Sequence, residues 1–257
     1  MDADGAPPLA PTLSERLEVL QGDIVATLSD AGRATTSATL IVITKFHPLS
    51  MINELFELGI RDFGESRHQE AQVKSEQCAG RDLRWHFIGQ LQSKKARAVA
   101  RYANVIHSVD REHLIEILDS VPVESAQGES ERLEAVQGVP VDVFLQVDLA
   151  SGVNANANAN GGGRGGMNVS EVQRLTERVA GSSQLRLMGV MAVAPLGEPP
   201  QPAFARLRTI SESIIRIVPT ARFISAGMSG DYREALREGA THLRIGSAIT
   251  GLRPAAE

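Results

Sequence analysis

The stretch TLIVITKFHP, Thr39 to Pro48, decides how the chain is to be folded. Its first six residues are apolar or β-branched and the seventh is Lys45. Such a run reads as a buried strand, and buried strands rarely end in an ammonium without a reason. In an open, doubly wound sheet the first strand feeds a glycine-rich phosphate turn. None follows here. The stretch feeds a helix instead, SMINELFELG (50–59), with Ser50 as its cap and Gly59 as its stop.

Outward from this unit the pattern repeats. Further strands are read at RDFGES (61–66), RWHFIG (84–89), VIHSVD (105–110), VDVFLQVDLA (141–150), LRLMGVMAVA (185–194), RFISAGM (222–228) and HLRIG (242–246). Helical segments separate them, one carrying Phe204, Leu207, Ile210, Ile214 and Ile217 on a single face. Before the first strand, Thr12 and Glu15 have capping-box spacing. Leu13, Leu17, Leu20, Ile24 and Leu28 follow at helical steps. Eight strands alternating with helices, in about 250 residues, predict an α/β protein with a single (β/α)8 TIM-type barrel and an extra N-terminal helix. The expected divisions are a disordered leader at 1–12, the barrel at 13–253 and a tail at 254–257. Flexible insertions are expected at 122–140 and 151–168.

Composition narrows the function. The 257 residues carry 26 basic and 31 acidic side chains, a formal net charge of -5, which is no polyanion-binding signature. A single cysteine, Cys78, forbids an intrachain disulfide and fits a reducing compartment. No signal peptide and no apolar run of membrane-spanning length is present. A soluble cytoplasmic protein is expected, without nucleic-acid or membrane partners, and monomeric, with a dimer as the alternative.

Several motifs carry little. GGGRGG (161–166) matches a dinucleotide fingerprint letter by letter, but an Asn-Ala tract separates it from the strand it needs, so it reads as linker. The six histidines show no metal-ligand spacing and default to structural or surface roles. There is no nucleophile elbow and no P-loop.

Two late turns carry more. SAGMSGD (225–231) and RIGSAITG (244–251) each follow a strand with small residues and serines. Each alone is an ordinary βα turn. On adjacent late strands they are a candidate phosphate cup, since barrel phosphates bind after strands seven and eight. Arg244 sits within the last apolar strand, so it is either in a structural ion pair or facing a ligand. Lys45 points to the same mouth, where desolvation and a nearby cation would free its amine as a nucleophile. A nucleophilic lysine, a phosphate cup and a buried arginine together describe a pyridoxal phosphate site.

At these residues the sequence resembles a known family. TKFHP, DFGES (62–66), WHFIGQLQSKK (85–95), HSVDR (107–111), GVMAV (189–193) and the block from Ser225 to Gly251 are similar to the pyridoxal 5'-phosphate (PLP) homeostasis proteins. The resemblance covers roughly 13–253 and implies a fold-type III PLP barrel like the N-terminal domain of alanine racemase. By it, Lys45 would form the Schiff base with PLP. Ser225, Gly246 and Ser247 would hold the phosphate, with Met228 and Ser229 lining the approach. Arg244 would face the pyridine nitrogen, and Ser66, Met191 and Gly227 would complete the cofactor contacts. Ser66, Ala226 and Gly230 stand where the family commonly has Asn, Met and Asn.

The implied function is PLP binding for intracellular homeostasis and amino-acid and keto-acid balance, with apo PLP enzymes as partners and no robust turnover. The alternative is a PLP-dependent amino-acid racemase. Racemisation over two faces needs a second base, and neither Tyr102 nor Tyr232 is an obvious one. An aldolase-like barrel using Lys45 on a sugar phosphate ranks below both.

Overall fold

The computed structural model describes residues 11–122, 139–150 and 165–251. Eight parallel strands close into a barrel in sequential order: β1 (Thr39–Ile43), β2 (Asp62–Glu65), β3 (Arg84–Phe87), β4 (Val105–Val109), β5 (Val141–Gln146), β6 (Leu185–Met191), β7 (Phe223–Ser225) and β8 (His242–Ile245). The ring closes through β1 on β8, with Leu40 opposite Leu243 and Val42 opposite Ile245. Each strand is largely buried, the condition of a parallel sheet covered by helices.

The first helix, α1 (Leu13–Asp30), begins as the sequence predicts. Thr12 Oγ1 accepts from the Glu15 amide at 3.2 Å, and the Glu15 carboxylate accepts from the Thr12 amide at 2.7 Å. Its buried face is Leu13, Leu17, Leu20, Ile24 and Leu28. Each such burial is worth roughly 1.5–3 kcal/mol. The helices between strands are α2 (Leu49–Glu57), α3 (His68–Gln77), α4 (Ser93–Ala100), α5 (Glu112–Asp119), α6 (Val172–Ala180), α7 (Pro200–Ile215) and α8 (Tyr232–Arg237). A single turn, α9 (Ser247–Thr250), follows β8.

Three local expectations are corrected. Pro48, not Ser50, occupies the cap of α2, and Ser50 lies inside the first turn. Ile217 falls beyond the end of α7 and is partly exposed, because the chain turns back at Arg216. The expected insertion at 151–168 ends earlier: Met167 is buried and bridges Val147, extending the barrel wall. Gly166 makes that approach possible. Its φ is 117°, and a Cβ there would lie 2.7 Å from the Asp148 amide nitrogen. The leader at 1–10, residues 123–138 and 151–164 of the insertions, and the tail lie outside the described residues.

Candidate functional site

Lys45 stands two residues past the end of β1, in a turn rather than in the strand itself. The His47 amide donates to the Thr44 carbonyl at 3.0 Å, closing a four-residue turn with Lys45 and Phe46 at its centre. Phe46 has φ 68°, a left-handed conformation that costs a non-glycine residue about 1 kcal/mol or more. The surroundings over-determine it. The Phe46 amide donates to Glu70 Oε1 at 2.6 Å, and the Arg67 guanidinium lies 4.7 Å over its ring.

Beneath the turn is a buried ionic cluster. Lys74 Nζ donates to the Thr44 carbonyl at 2.8 Å and to Glu65 Oε1 and Glu70 Oε1, each at 2.7 Å. Thr44 Oγ1 adds a bond to Glu65 at 2.8 Å. Burial pushes the Glu65 carboxyl up from its ordinary value, against the pull of Lys74. Burial likewise holds the neighbouring His47 imidazole down, so it is neutral beside the lysine.

Above the turn lies a cavity of about 300 Å³. Lys45, Met228, Ser229, Arg244, Gly246 and Ser247 line it, so six of the ten residues expected at the site share one chamber. His47 and Gly230 also reach it. The two late turns meet there. Ser247 Oγ donates to Ser229 Oγ at 3.4 Å, and the Ala248 amide donates to the same oxygen at 3.3 Å. Asp231 Oδ1 accepts from the Met228 amide at 2.6 Å and fixes the first turn. Among the described residues, the amides of Ser229 and Gly230 have no protein acceptor. Hydroxyls and free amides on adjacent turns make an anion cup.

Arg244 is 4% exposed. It donates to Ser225 Oγ at 2.6 Å and to the Ala192 carbonyl at 2.9 Å. Among the described residues no carboxylate lies within ion-pair distance of it, and Asp231 acts on it only from farther off. Burial lowers its pKa to about 10, which still leaves it charged at neutral pH.

Four expected residues lie elsewhere. Ser225 is fully buried beneath Arg244, its oxygen accepting from the guanidinium rather than facing the cup. Met191 is buried against Val105 and Phe144 in the barrel interior. Gly227 lies behind the cup: its φ is 89°, a Cβ would stand 2.9 Å from that of Ala235, and its carbonyl accepts from the Arg244 amide. Ser66 lines a neighbouring cavity of about 460 Å³ with Arg67, Gln90 and Lys95. Of the other departures, Gly230 lies on the cavity wall and Ala226 is buried in the β7–β8 connection. Tyr102 is buried against His68, and Tyr232 donates to Asp23 on α1, so neither lines the cavity. The Glu65–Lys74–Glu70 cluster and the buried His86 and His107 escape sequence reasoning: Glu70 and Lys74 have the i,i+4 spacing of an ordinary helix pair, and nothing in the sequence joins them to Glu65, or His86 to His107.

Residues 27–254 match the family model described as alanine racemase, N-terminal domain. A relative named pyridoxal phosphate homeostasis protein, from Corynebacterium glutamicum, is 35% identical over 240 residues, 92% of this chain and 100% of its own. The chain belongs to the pyridoxal phosphate homeostasis proteins. A homeostasis protein from Pseudomonas aeruginosa is 34% identical over 94% of this chain and 96% of its own. The structure of PipY from Synechococcus elongatus, solved with PLP bound, superimposes with a TM-score of 0.73 at 31% identity, covering 93% of this chain and 100% of PipY. Alanine racemase from Corynebacterium glutamicum shares the fold, with a TM-score of 0.62 at 14% identity and 62% of its length covered. Among the described residues no helix is long and apolar enough to cross a membrane.

Proposed function

We propose that this chain binds PLP in the Lys45 cavity and holds it for intracellular cofactor homeostasis, without robust turnover. The observation that carries the proposal is the convergence of Lys45 and Arg244 on one cavity of about 300 Å³ that the two serine turns close. The residues fit the group. Ser229, Ser247 and the free amides of the first turn suit a phosphate. A buried guanidinium that no carboxylate contacts among the described residues suits an unprotonated pyridine nitrogen. A turn-borne amine suits an aldehyde.

When bound, the cofactor supplies an electrophilic aldehyde and an electron-accepting ring. Lys45 would hold the aldehyde carbon covalently. Arg244 would keep the ring nitrogen unprotonated and so weaken the electron sink, which suits a carrier better than a carbanion-forming enzyme. The similarity to PipY, which was solved with PLP, supports the same reading. A cytoplasmic location, a monomeric state and delivery of PLP to apo enzymes complete the proposal.

The test is the visible spectrum of the protein incubated with PLP. A yellow band that borohydride fixes onto Lys45, and that Lys45→Ala abolishes while the fold survives, is expected. A wild type that stays colourless would sink the proposal. Solvent deuterium exchange at the Cα of amino acids addresses the racemase alternative, and rapid exchange would establish turnover.

A further inference from the structure

A row of polar side chains crosses the barrel interior, where branched apolar layers are usual. Asp62 Oδ1 lies 2.9 Å from His86 Nε2. His86 Nδ1 lies 2.9 Å from His107 Nε2, and His107 Nδ1 lies 2.8 Å from Ser225 Oγ. Ser225 Oγ accepts from Arg244 at 2.6 Å. The row links β2, β3, β4, β7 and β8. His86, His107, Ser225 and Arg244 are buried, while the Asp62 side chain is 23% exposed.

The two ends give the row one direction. Arg244 can only donate, so Ser225 accepts from it. The single hydroxyl hydrogen of Ser225 must then go to His107 Nδ1. A neutral His107 with a bare Nδ1 carries its hydrogen on Nε2 and donates to His86 Nδ1. His86 in turn carries its hydrogen on Nε2 and donates to the Asp62 carboxylate. Reversing the row would leave the Ser225 hydroxyl without an acceptor and turn a bare imidazole nitrogen toward a carboxylate. An added proton on either ring would break it. Burial, before any charge, holds both imidazoles neutral. The charged or titratable groups around them are Asp62, Arg84, Asp142, His242 and Arg244.

We propose that Asp62, His86, His107 and Ser225 are positioning residues for Arg244: a one-way hydrogen-bond relay that delivers the influence of a distant carboxylate to a buried guanidinium and locks its orientation toward the Lys45 cavity. Aligned hydrogen bonds polarise one another in a low-dielectric interior. A cation that no carboxylate contacts among the described residues, with Asp231 acting on it only from farther off, is thereby given strong acceptors. The effect on the cofactor rests on the PLP reading above: the ring nitrogen facing Arg244 stays unprotonated. The relay itself does not.

Two measurements test it. Nitrogen-15 spectra of histidine-labelled protein without PLP report the tautomers directly. His86 and His107 are expected neutral, each with its hydrogen on Nε2, between about pH 5 and pH 8. A hydrogen on Nδ1 of His107, or a charged ring in that window, overturns the relay. In PLP-loaded protein, Ser225→Ala is expected to weaken PLP retention about tenfold and to move the ring-nitrogen resonance toward its protonated position. Ser225→Thr restores both. Asp62→Asn, remote from the cavity, moves the same resonance in the same direction, which a purely structural role would not do. An unmoved resonance in both Ser225→Ala and Asp62→Asn overturns the proposal. A wild type that takes up no PLP defeats the cofactor reading, and the spectra of the unloaded protein then decide the relay alone.

Discussion

Lys74 Nζ lies 2.7 Å from Glu65 Oε1, with the two side chains 7% and 1% exposed, directly under the turn that carries Lys45. Removing one member of a buried pair strands the other charge. Lys74→Met is expected to cost about 3–5 kcal/mol, read from denaturant midpoints. Combining it with Glu65→Leu recovers most of the loss. If Lys74→Met costs no more than an exposed substitution, the cluster is not what holds the lysine turn.

Acid will loosen the barrel before most carboxylates titrate. His86, His107 and His242 are held below the ordinary histidine value, His242 at about 3, with burial the largest cause in each. The unfolded chain therefore takes up protons below about pH 6.5 while the folded barrel does not. Stability is full above that pH and falls below it as each histidine of the unfolded chain takes up its proton. Glu65, held high, opposes this weakly: the folded state keeps its proton to higher pH, so its contribution declines as pH rises past about 4.5. Urea melts from about pH 7 to pH 5 check the sign, and a flat profile would contradict neutral buried imidazoles.

Gly227→Ala should be costly for two reasons. The position has φ 89°, and the new Cβ would meet Ala235, Leu243 and the Tyr232 backbone at 2.9–3.0 Å. A loss of about 2–4 kcal/mol is expected. PLP retention should weaken as well, because the same shift displaces the Met228–Asp231 turn.

Asp23 ties α1 to α8. It accepts from the Tyr232 hydroxyl at 2.6 Å and from two Arg233 nitrogens at 2.8 Å each. Asp23→Ala should cost about 1 kcal/mol in thermal melts. It should also speed PLP release, since α8 starts just after the cup turn.

The barrel was legible because each strand is a short apolar run bounded by turn residues. Lys45, Arg244 and the two serine turns were legible because each interrupts or ends such a run. Ser225 was expected at the phosphate, and the structure turns its oxygen to Arg244; β7 has only three residues, too few for alternation to reveal which side chain faces inward. The relay was invisible for a different reason. Its five members come from five strands, and only closure of the barrel brings them within hydrogen-bond distance. The Phe46 conformation, too, follows from its contacts with Glu70 and Arg67 rather than from its own preference.

Arg16 on α1 donates to the Ile249 carbonyl of α9 at 2.6 Å, across 233 residues of chain. With the Asp23 clasp, this hangs both cup turns from the first helix. Such a contact closes a very long loop, among the slowest kinds of event in folding. The cup is therefore expected to form late in folding, and capture of the cofactor during refolding would time the meeting of the first and last helices.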